Sequence, residues 1–397
     1  MGEASVLRST ASRAAERRPS VMGGRTRLRG FTAFPEGGPR RDAARMEDPS
    51  SAVTPNPRWT FFYRHRAPII ESRYRERRRH HVVTVQPRRN PAALAAPELG
   101  SLRPLDETSQ RYAHYYGIDF DARLPELEHG FGYFEAAGHT ISVHAWRPAA
   151  PRGTVLICHG YFDHVGLYRH VIGHVLQLGY AVLAYDLPGH GLSSGPRAAI
   201  DDFRIYREVL EQCLSMAENH FPRPWHVIGQ STGGAIVMDY LLHHGFDADN
   251  SPFEQIILLA PLVRPFKWGV ARWLHTLVRP FARSIKRVFT VNSGDPDFLD
   301  FLENKDPLQD RRLPARWVTA LKRWIPGFEA ADRVKISPVV IQGDQDETVD
   351  WRHNLQVIRS KFEDPEIHML AGARHHLANE HGDYRQRIFA LIDRYLA

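Results

Sequence analysis

A serine between glycines, a cluster of carboxylates and a pair of histidines occur in that order along the chain, and together they can perform acyl transfer. The serine is Ser231, in the stretch WHVIGQSTGGAIVMDYLL, residues 225–242. A strand-like apolar run stops at Gly229 and a helical run opens at Thr232, so the chain must reverse within about two residues. Gly229 and Gly233 lack a Cβ and tolerate the crowding. The hydroxyl is expected to project beyond the C-terminal edge of a sheet. It becomes a nucleophile only when a base takes its proton and a third group orients that base. The acid is expected just past the strand-like SPVVIQGD (337–344), where Asp344, Asp346 and Asp350 are available. The base is expected past EIHML (366–370), where His375 and His376 follow. Charge developing on the attacked carbonyl oxygen needs two N–H donors. The amide of Thr232 is one candidate and that of Tyr161, in the loop after VLIC, is the other. A plain turn with solvated loop residues elsewhere is the alternative, and the arrival of all three residue types in register argues against it.

These residues need a scaffold, and the flanking texture predicts one. GYFEAAGHTISVHAWRP alternates around a Gly-His turn, as a β-hairpin does. Short apolar runs then alternate with helical stripes. GTVLICHG (153–160) is followed by Leu167, Val171, Val175 and Leu178; YAVLAYDLPGHG (180–191) by Phe203, Tyr206, Leu210, Cys213 and Ala217. WHVIG leads into a helix over 232–244. EQIILLAP and SPVVIQGD read as strands, 351–362 as a helix, EIHML as a strand, and Tyr384 to Tyr395 as the last helix. Strands regularly separated by helices predict an α/β fold, a mostly parallel sheet with helices on both faces. Residues 263–330 interrupt that rhythm as a helix-rich insertion with no strand of its own, read as a cap.

Charge divides the chain in two. Residues 1–100 hold 20 Arg, no Lys and 9 acidic residues, a balance of +11, whereas residues 101–397 hold 32 basic and 36 acidic residues. The first hundred residues show no sustained period and too little apolar content to offset chain entropy, so disorder is expected there. Arginine without lysine also resembles translated upstream sequence, with a start at Met46 or beyond. Val6 breaks a myristoylation motif, and nine acidic residues are too many for a transit peptide. The mildly acidic body gives no support to nucleic-acid binding. Two cysteines, Cys158 and Cys213, fit a reducing, cytoplasmic setting. No apolar run reaches the roughly 18 residues of a membrane span. No HExxH or Cys/His cluster suggests a metal, and no cofactor is expected: Gly189-His190-Gly191 fails as a dinucleotide fingerprint because Ser194 takes the third glycine's place.

From about Phe131 to the C-terminus the chain resembles the α/β-hydrolase superfamily, and within it the monoacylglycerol lipase and lysophospholipase-like group. HGYFDH (159–164), YDLPGHGLSSGPR (185–197), GQSTGG (229–234), GDQDETV (343–349) and GARHHLANE (372–380) carry the resemblance. The group's Gly-x-x-Asp pattern selects Asp346 over Asp344 and Asp350, and its Gly-Ala-x-His pattern selects His375 over His376. Two positions depart from it. Phe162 and Asp163 stand where the group has Gly and Glu, which bears on the alcohol-side pocket. Gln230 stands where the group mostly has His, which bears on packing under the nucleophile.

The resemblance implies a serine hydrolase acting on lipid esters of monoacylglycerol or lysophospholipid type through an acyl-enzyme. Ser231, Asp346 and His375 would be catalytic, the Tyr161 and Thr232 amides would form the oxyanion hole, and Asp163, His164 and Trp268 would touch substrate. An acyltransferase or a serine aminopeptidase on the same triad is the alternative, followed by a non-catalytic binding protein of the same fold. An aminopeptidase would need cap carboxylates for the substrate ammonium, and Asp295, Asp297, Asp300 and Glu303 are present. Residues 265–290 hold six basic and no acidic residues among Trp268, Trp273, Leu274, Leu277, Phe281 and Phe289. That pattern suits peripheral contact with an anionic membrane; a cap helix with its apolar face inward is the competing reading.

Overall fold

The computed structural model describes residues 105–124 and 126–397. The expectations for residues 1–100 lie outside them.

Eight strands form one sheet: β1 (Glu128–Ala136), β2 (His139–Arg147), β3 (Thr154–Cys158), β4 (Ala181–Tyr185), β5 (Trp225–Gln230), β6 (Gln255–Leu259), β9 (Val339–Gly343) and β10 (Glu366–Leu370). Their order is β1-β2-β4-β3-β5-β6-β9-β10. The first two pairings, β1 with β2 and β2 with β4, are antiparallel, and every later one is parallel. The hairpin turns at Ala137 and Gly138, with φ 48° and 75°, not at the Gly-His pair expected from sequence. Positive φ at both central residues matches the right-handed twist of the flanking strands.

The central strands β3, β4 and β5 are buried along their whole length, which is why they read as continuous apolar runs. Helices α1 (Glu107–Tyr116), α2 (Arg169–Gln177) and α9 (Gly382–Leu396) pack on one face. Helices α3 (Arg204–Ala217), α4 (Thr232–His244) and α8 (Trp351–Lys361) pack on the other. The architecture is the doubly wound sheet expected from the alternation of patterns. Helix α1 was not legible from apolar spacing, although its ends carry capping signals. Asp106 accepts from the Ser109 amide, and Gly117 closes the helix in the left-handed conformation.

Between β6 and β9 lies an insert holding α5 (Trp268–Val278), β7 (Ser284–Lys286), α6 (Pro296–Asp300), β8 (Arg312–Pro314) and α7 (Ala315–Ala330). Contrary to the sequence expectation it has strands: β7 and β8 pair antiparallel. Three residues each, rich in charge, are too short to show an alternating signal. The insert is tied to the body through Asp306. Its carboxylate accepts from Tyr116 Oη at 2.7 Å and pairs with His164 Nε2 at 3.0 Å, all three groups being buried.

Candidate active site

Strand β5 and helix α4 meet at Ser231 with no loop between them. Ser231 takes φ 52° and ψ −110°, a conformation that costs a residue with a Cβ on the order of 1–3 kcal/mol. The neighbourhood enforces it. The Ser231 amide donates to the Leu259 carbonyl at 2.9 Å, and its carbonyl accepts from the Ala235 and Leu262 amides at 3.0 Å. A Cβ on Gly233 would collide with the Cys158 carbonyl, and one on Gly229 would meet the Gly234 amide nitrogen at 2.8 Å. Both glycines are therefore needed for the helix start to sit directly on the ends of β3 and β5.

The three candidate acids separate cleanly. Asp346 Oδ2 lies 2.7 Å from His375 Nδ1 and accepts from Gln342 Nε2 at 3.0 Å. Its Oδ1 accepts from the Thr348 and Val349 amides at 2.8 and 3.1 Å. Burial would raise the Asp346 pKa, but the His375 imidazole and these hydrogen bonds outweigh it and hold the carboxyl below its ordinary range. Asp344 instead accepts from the Gly372 amide at 2.8 Å, stapling the β9 and β10 loops together. Asp350 caps α8 through the His353 amide at 3.3 Å. The two histidines also part: His375 turns to Asp346, whereas His376 Nε2 lies 3.2 Å from Asp163 Oδ2.

The loop after β3 is set by hydrogen bonds from below. His159 Nε2 accepts from the Leu187 amide at 2.9 Å. The Gly160 amide donates to Tyr168 Oη at 2.9 Å, and that hydroxyl donates to Asp163 Oδ2 at 2.9 Å. Burial would raise the Asp163 pKa, yet the facing His376 pulls it well below the ordinary carboxylate value. A Cβ on Gly160 would stand 3.4 Å from the Ser231 Cβ and 2.8 Å from Asp163 Oδ2, so only glycine lets this loop lie against the serine. Among the described residues, no loop or turn hydrogen bond takes up the Tyr161 amide. Thr232 opens α4, so its amide has no intrahelical acceptor.

Ser231, Thr232, Tyr161 and His375 line one cavity of about 460 Å³. No hydrogen bond joins Ser231 Oγ to His375 Nε2 among the described residues; both side chains border the same space. The insert supplies the opposite wall through β7, the segment after it, Leu299, Leu302 and Trp317. Trp317 lies flat on the Tyr161 ring, with centroids 3.8 Å apart and planes 15° from parallel. Of the three residues expected to touch substrate, Asp163 lines the cavity, but His164 and Trp268 do not. His164 is turned away by its buried pairing with Asp306, and Trp268 is packed into the core on the α3–α4 side of the sheet. Sequence reasoning missed Trp317 and Arg287 as wall residues, since neither belongs to a recognisable motif. Among the described residues no group of three or more His, Cys, Asp or Glu side chains converges to hold a metal ion.

The sequence profile of the Hydrolase_4 family, described as serine aminopeptidase, S33, matches residues 149–382. A monoacylglycerol lipase of Mycolicibacterium smegmatis is 28% identical over 265 residues, covering 64% of this chain and 91% of the lipase. The human monoglyceride lipase is 26% identical over 276 residues, covering 66% of this chain and 88% of the relative. Among solved structures, a soluble variant of monoglyceride lipase from Saccharomyces cerevisiae superposes with a TM-score of 0.57 at 19% identity, over 67% of this chain and 94% of that one. A monoacylglycerol lipase from Paleococcus ferrophilus gives 0.54 at 18%, over 66% and 99%. The shared architecture is the α/β-hydrolase fold.

Proposed function

The chain belongs to the Hydrolase_4 (serine aminopeptidase, S33) family, and from that premise we propose that it hydrolyses carboxylic esters of lipids, of monoacylglycerol or lysophospholipid type. The observation that carries this reading is the 2.7 Å contact of Asp346 with His375, which borders the same cavity as the strained Ser231. A carboxylate at Nδ1 requires the proton there, which leaves the Nε2 lone pair to act as base. In this reading His375 Nε2 takes the Ser231 proton as Oγ attacks the ester carbonyl carbon. The oxyanion is held by the Tyr161 and Thr232 amides. Collapse breaks the bond to the alcohol, which leaves with the proton from His375. Water then attacks the acyl-Ser231 by the same route in reverse, releasing the fatty acid. Apo distances at such sites commonly tighten only when substrate binds.

The side chains of Leu262, Val288, Phe289, Leu299 and Leu313 give the cavity an apolar wall suited to an acyl chain. The insert acts in this reading as a cap that selects the chain and controls entry. The aminopeptidase alternative needs a free carboxylate beside the serine. Asp163 is engaged by His376, and Glu303 is the remaining acid of the cavity wall. Labelling by a fluorophosphonate probe, followed by a panel of p-nitrophenyl esters, monoacylglycerols, lysophospholipids and aminoacyl p-nitroanilides, tests both. Loss of labelling and of ester turnover in Ser231→Ala is the expected result. Retained turnover, or turnover of the anilides alone, would overturn the lipid-ester reading.

A membrane surface is the proposed source of substrate. No helix among the described residues is long and apolar enough to cross a membrane. Helix α5 nevertheless presents Val270, Trp273, Leu274 and Leu277 outward, and Phe281 beyond it is 91% exposed. Lys267, Arg272, Arg279 and Arg283 are interleaved with them. The competing sequence reading put the apolar face inward; only Trp268 is buried. An outward apolar face edged by cations fits an anionic bilayer surface. Sedimentation with liposomes containing phosphatidylglycerol, but not with purely neutral ones, is the expected outcome.

A further inference from the structure

Arg287 follows β7 and borders the same cavity as Ser231. Its Nη1 donates to Gln309 Oε1 at 2.7 Å and to the Asp310 carbonyl at 3.4 Å, which fixes one edge of the guanidinium. Its central carbon lies 4.0 Å from the Phe162 ring centroid and 4.5 Å from that of Phe289, so aromatic faces hold the plane. Among the described residues no carboxylate lies within ion-pair distance of it. The nearby acids are occupied: Asp310 pairs with Arg197 at 3.2 Å and Asp163 with His376 at 3.2 Å. Nε and Nη2 carry no hydrogen-bond acceptor among the described residues. Burial pushes the Arg287 pKa down to about 10, with Asp163 the main opposing influence, so the group stays cationic at neutral pH.

The backbone beneath it is unusual as well. Phe162 stands where the resemblance expects glycine, and it adopts the left-handed φ of 68° that glycine would take without strain. A residue with a Cβ is disfavoured there. Its ring spans from Tyr161, at 4.0 Å between centroids, to the Arg287 guanidinium. The Phe162 ring is thus one of the two aromatic faces against the guanidinium. Arg287 is braced by neutral groups and left with two donor nitrogens unpaired, which is how a protein receives an anion.

We propose that Arg287, braced by Phe162 and Phe289, is a specificity-determining residue that selects esters bearing an anionic group, a phosphate or a carboxylate. The proposal rests on the ester-hydrolase reading and names its substrate class. The test compares kcat/KM for 1-oleoylglycerol 3-phosphate, the oleoyl ester of glyceric acid and neutral 1-oleoylglycerol below their aggregation limits. Wild type is expected to favour one or both anionic esters by roughly 10-fold or more, and the two arms show which anion fits. Arg287→Met is expected to lower the anionic-to-neutral ratio by roughly 10–100-fold, the worth of one or two charge-assisted hydrogen bonds, with Arg287→Lys between. A wild-type ratio at or below one, or a ratio unmoved in Arg287→Met, overturns the proposal. Competition on wild type alone supplies a readout that needs no variant to fold: dodecyl phosphate should inhibit at a lower concentration than dodecanol, and the reverse order overturns it. Turnover of all three esters without Arg287 dependence sinks only this proposal. No ester turnover and no labelling of Ser231 sinks it together with the reading beneath it.

Discussion

Gln230 Nε2 donates to the carbonyl oxygen of His375 at 2.9 Å, so the residue immediately before Ser231 holds the backbone that carries the imidazole. Its Oε1 accepts from the Ala378 amide at 3.3 Å, gripping the same loop a second time. The side chain is buried, and the groups it satisfies would be left without partners on truncation. Gln230→Ala is therefore expected to cost roughly 1–3 kcal/mol of stability. Ester kcat should fall about 10-fold as the imidazole loses its fixed approach, with KM moving less. Stopped-flow turnover with a p-nitrophenyl ester and urea unfolding measure the two effects. An unaltered kcat would show that the histidine loop keeps its place without this residue.

A second expectation concerns the turn itself. Ser231 holds φ 52° with a Cβ present, whereas glycine would adopt that conformation freely. Ser231→Gly and Ser231→Ala both remove the proposed nucleophile, so both should be inactive. The glycine variant should be the more stable of the two by about 1 kcal/mol, even after the extra unfolded-state entropy of glycine. In a domain of this size that difference is about 2–4 °C in Tm. Equal melting temperatures would show that the turn stores no strain.

Much of this site was legible in advance, and the reason is local. Ser231 and Asp346 follow fully buried strands, which announce themselves as apolar runs closed by glycine, whereas His375 follows the partly exposed edge strand β10 and was marked by its place after EIHML. The positions after β5 and β9 were thus candidates from sequence, and the structure separates Asp346 from Asp344 and Asp350 by what each carboxylate binds. What stayed hidden depends on contacts between distant segments. His164 closes the motif HGYFDH yet turns to Asp306, 142 residues away, and no spacing rule reports such a partner. Gln230 stood out as a departure, but its bond to the His375 carbonyl spans 145 residues. The pair β7–β8 is too short to show a period. The wall it helps to build, including Arg287, became visible only when the insert folded over the serine.

A third expectation follows from two depressed carboxyl pKa values. Asp163 and Asp346 are both held below the ordinary 3.8, in each case because a histidine and hydrogen bonds outweigh burial. A group whose folded pKa is depressed adds stability that is fully present above its unfolded pKa and is lost as pH falls through the folded one. Stability owed to these pairs should hold from pH 7 down to about 5 and drain away below about 4. In Asp163→Asn the acid limb should be shallower, while stability at pH 7 should be lower because His376 loses its partner. Urea midpoints at pH 7, 5, 4 and 3 for both proteins measure this. Parallel acid limbs would mean that the Asp163–His376 contact contributes nothing to folding.

The stacking of Trp317 on Tyr161 couples two things usually treated apart. Tyr161 belongs to the loop whose amide is the proposed oxyanion donor, while Trp317 belongs to the first turn of α7 in the insert. Any outward swing of that helix must peel an indole from a phenol and uncover the ring beside the amide. Movement of the insert and exposure of the proposed oxyanion loop are therefore linked through this ring stack.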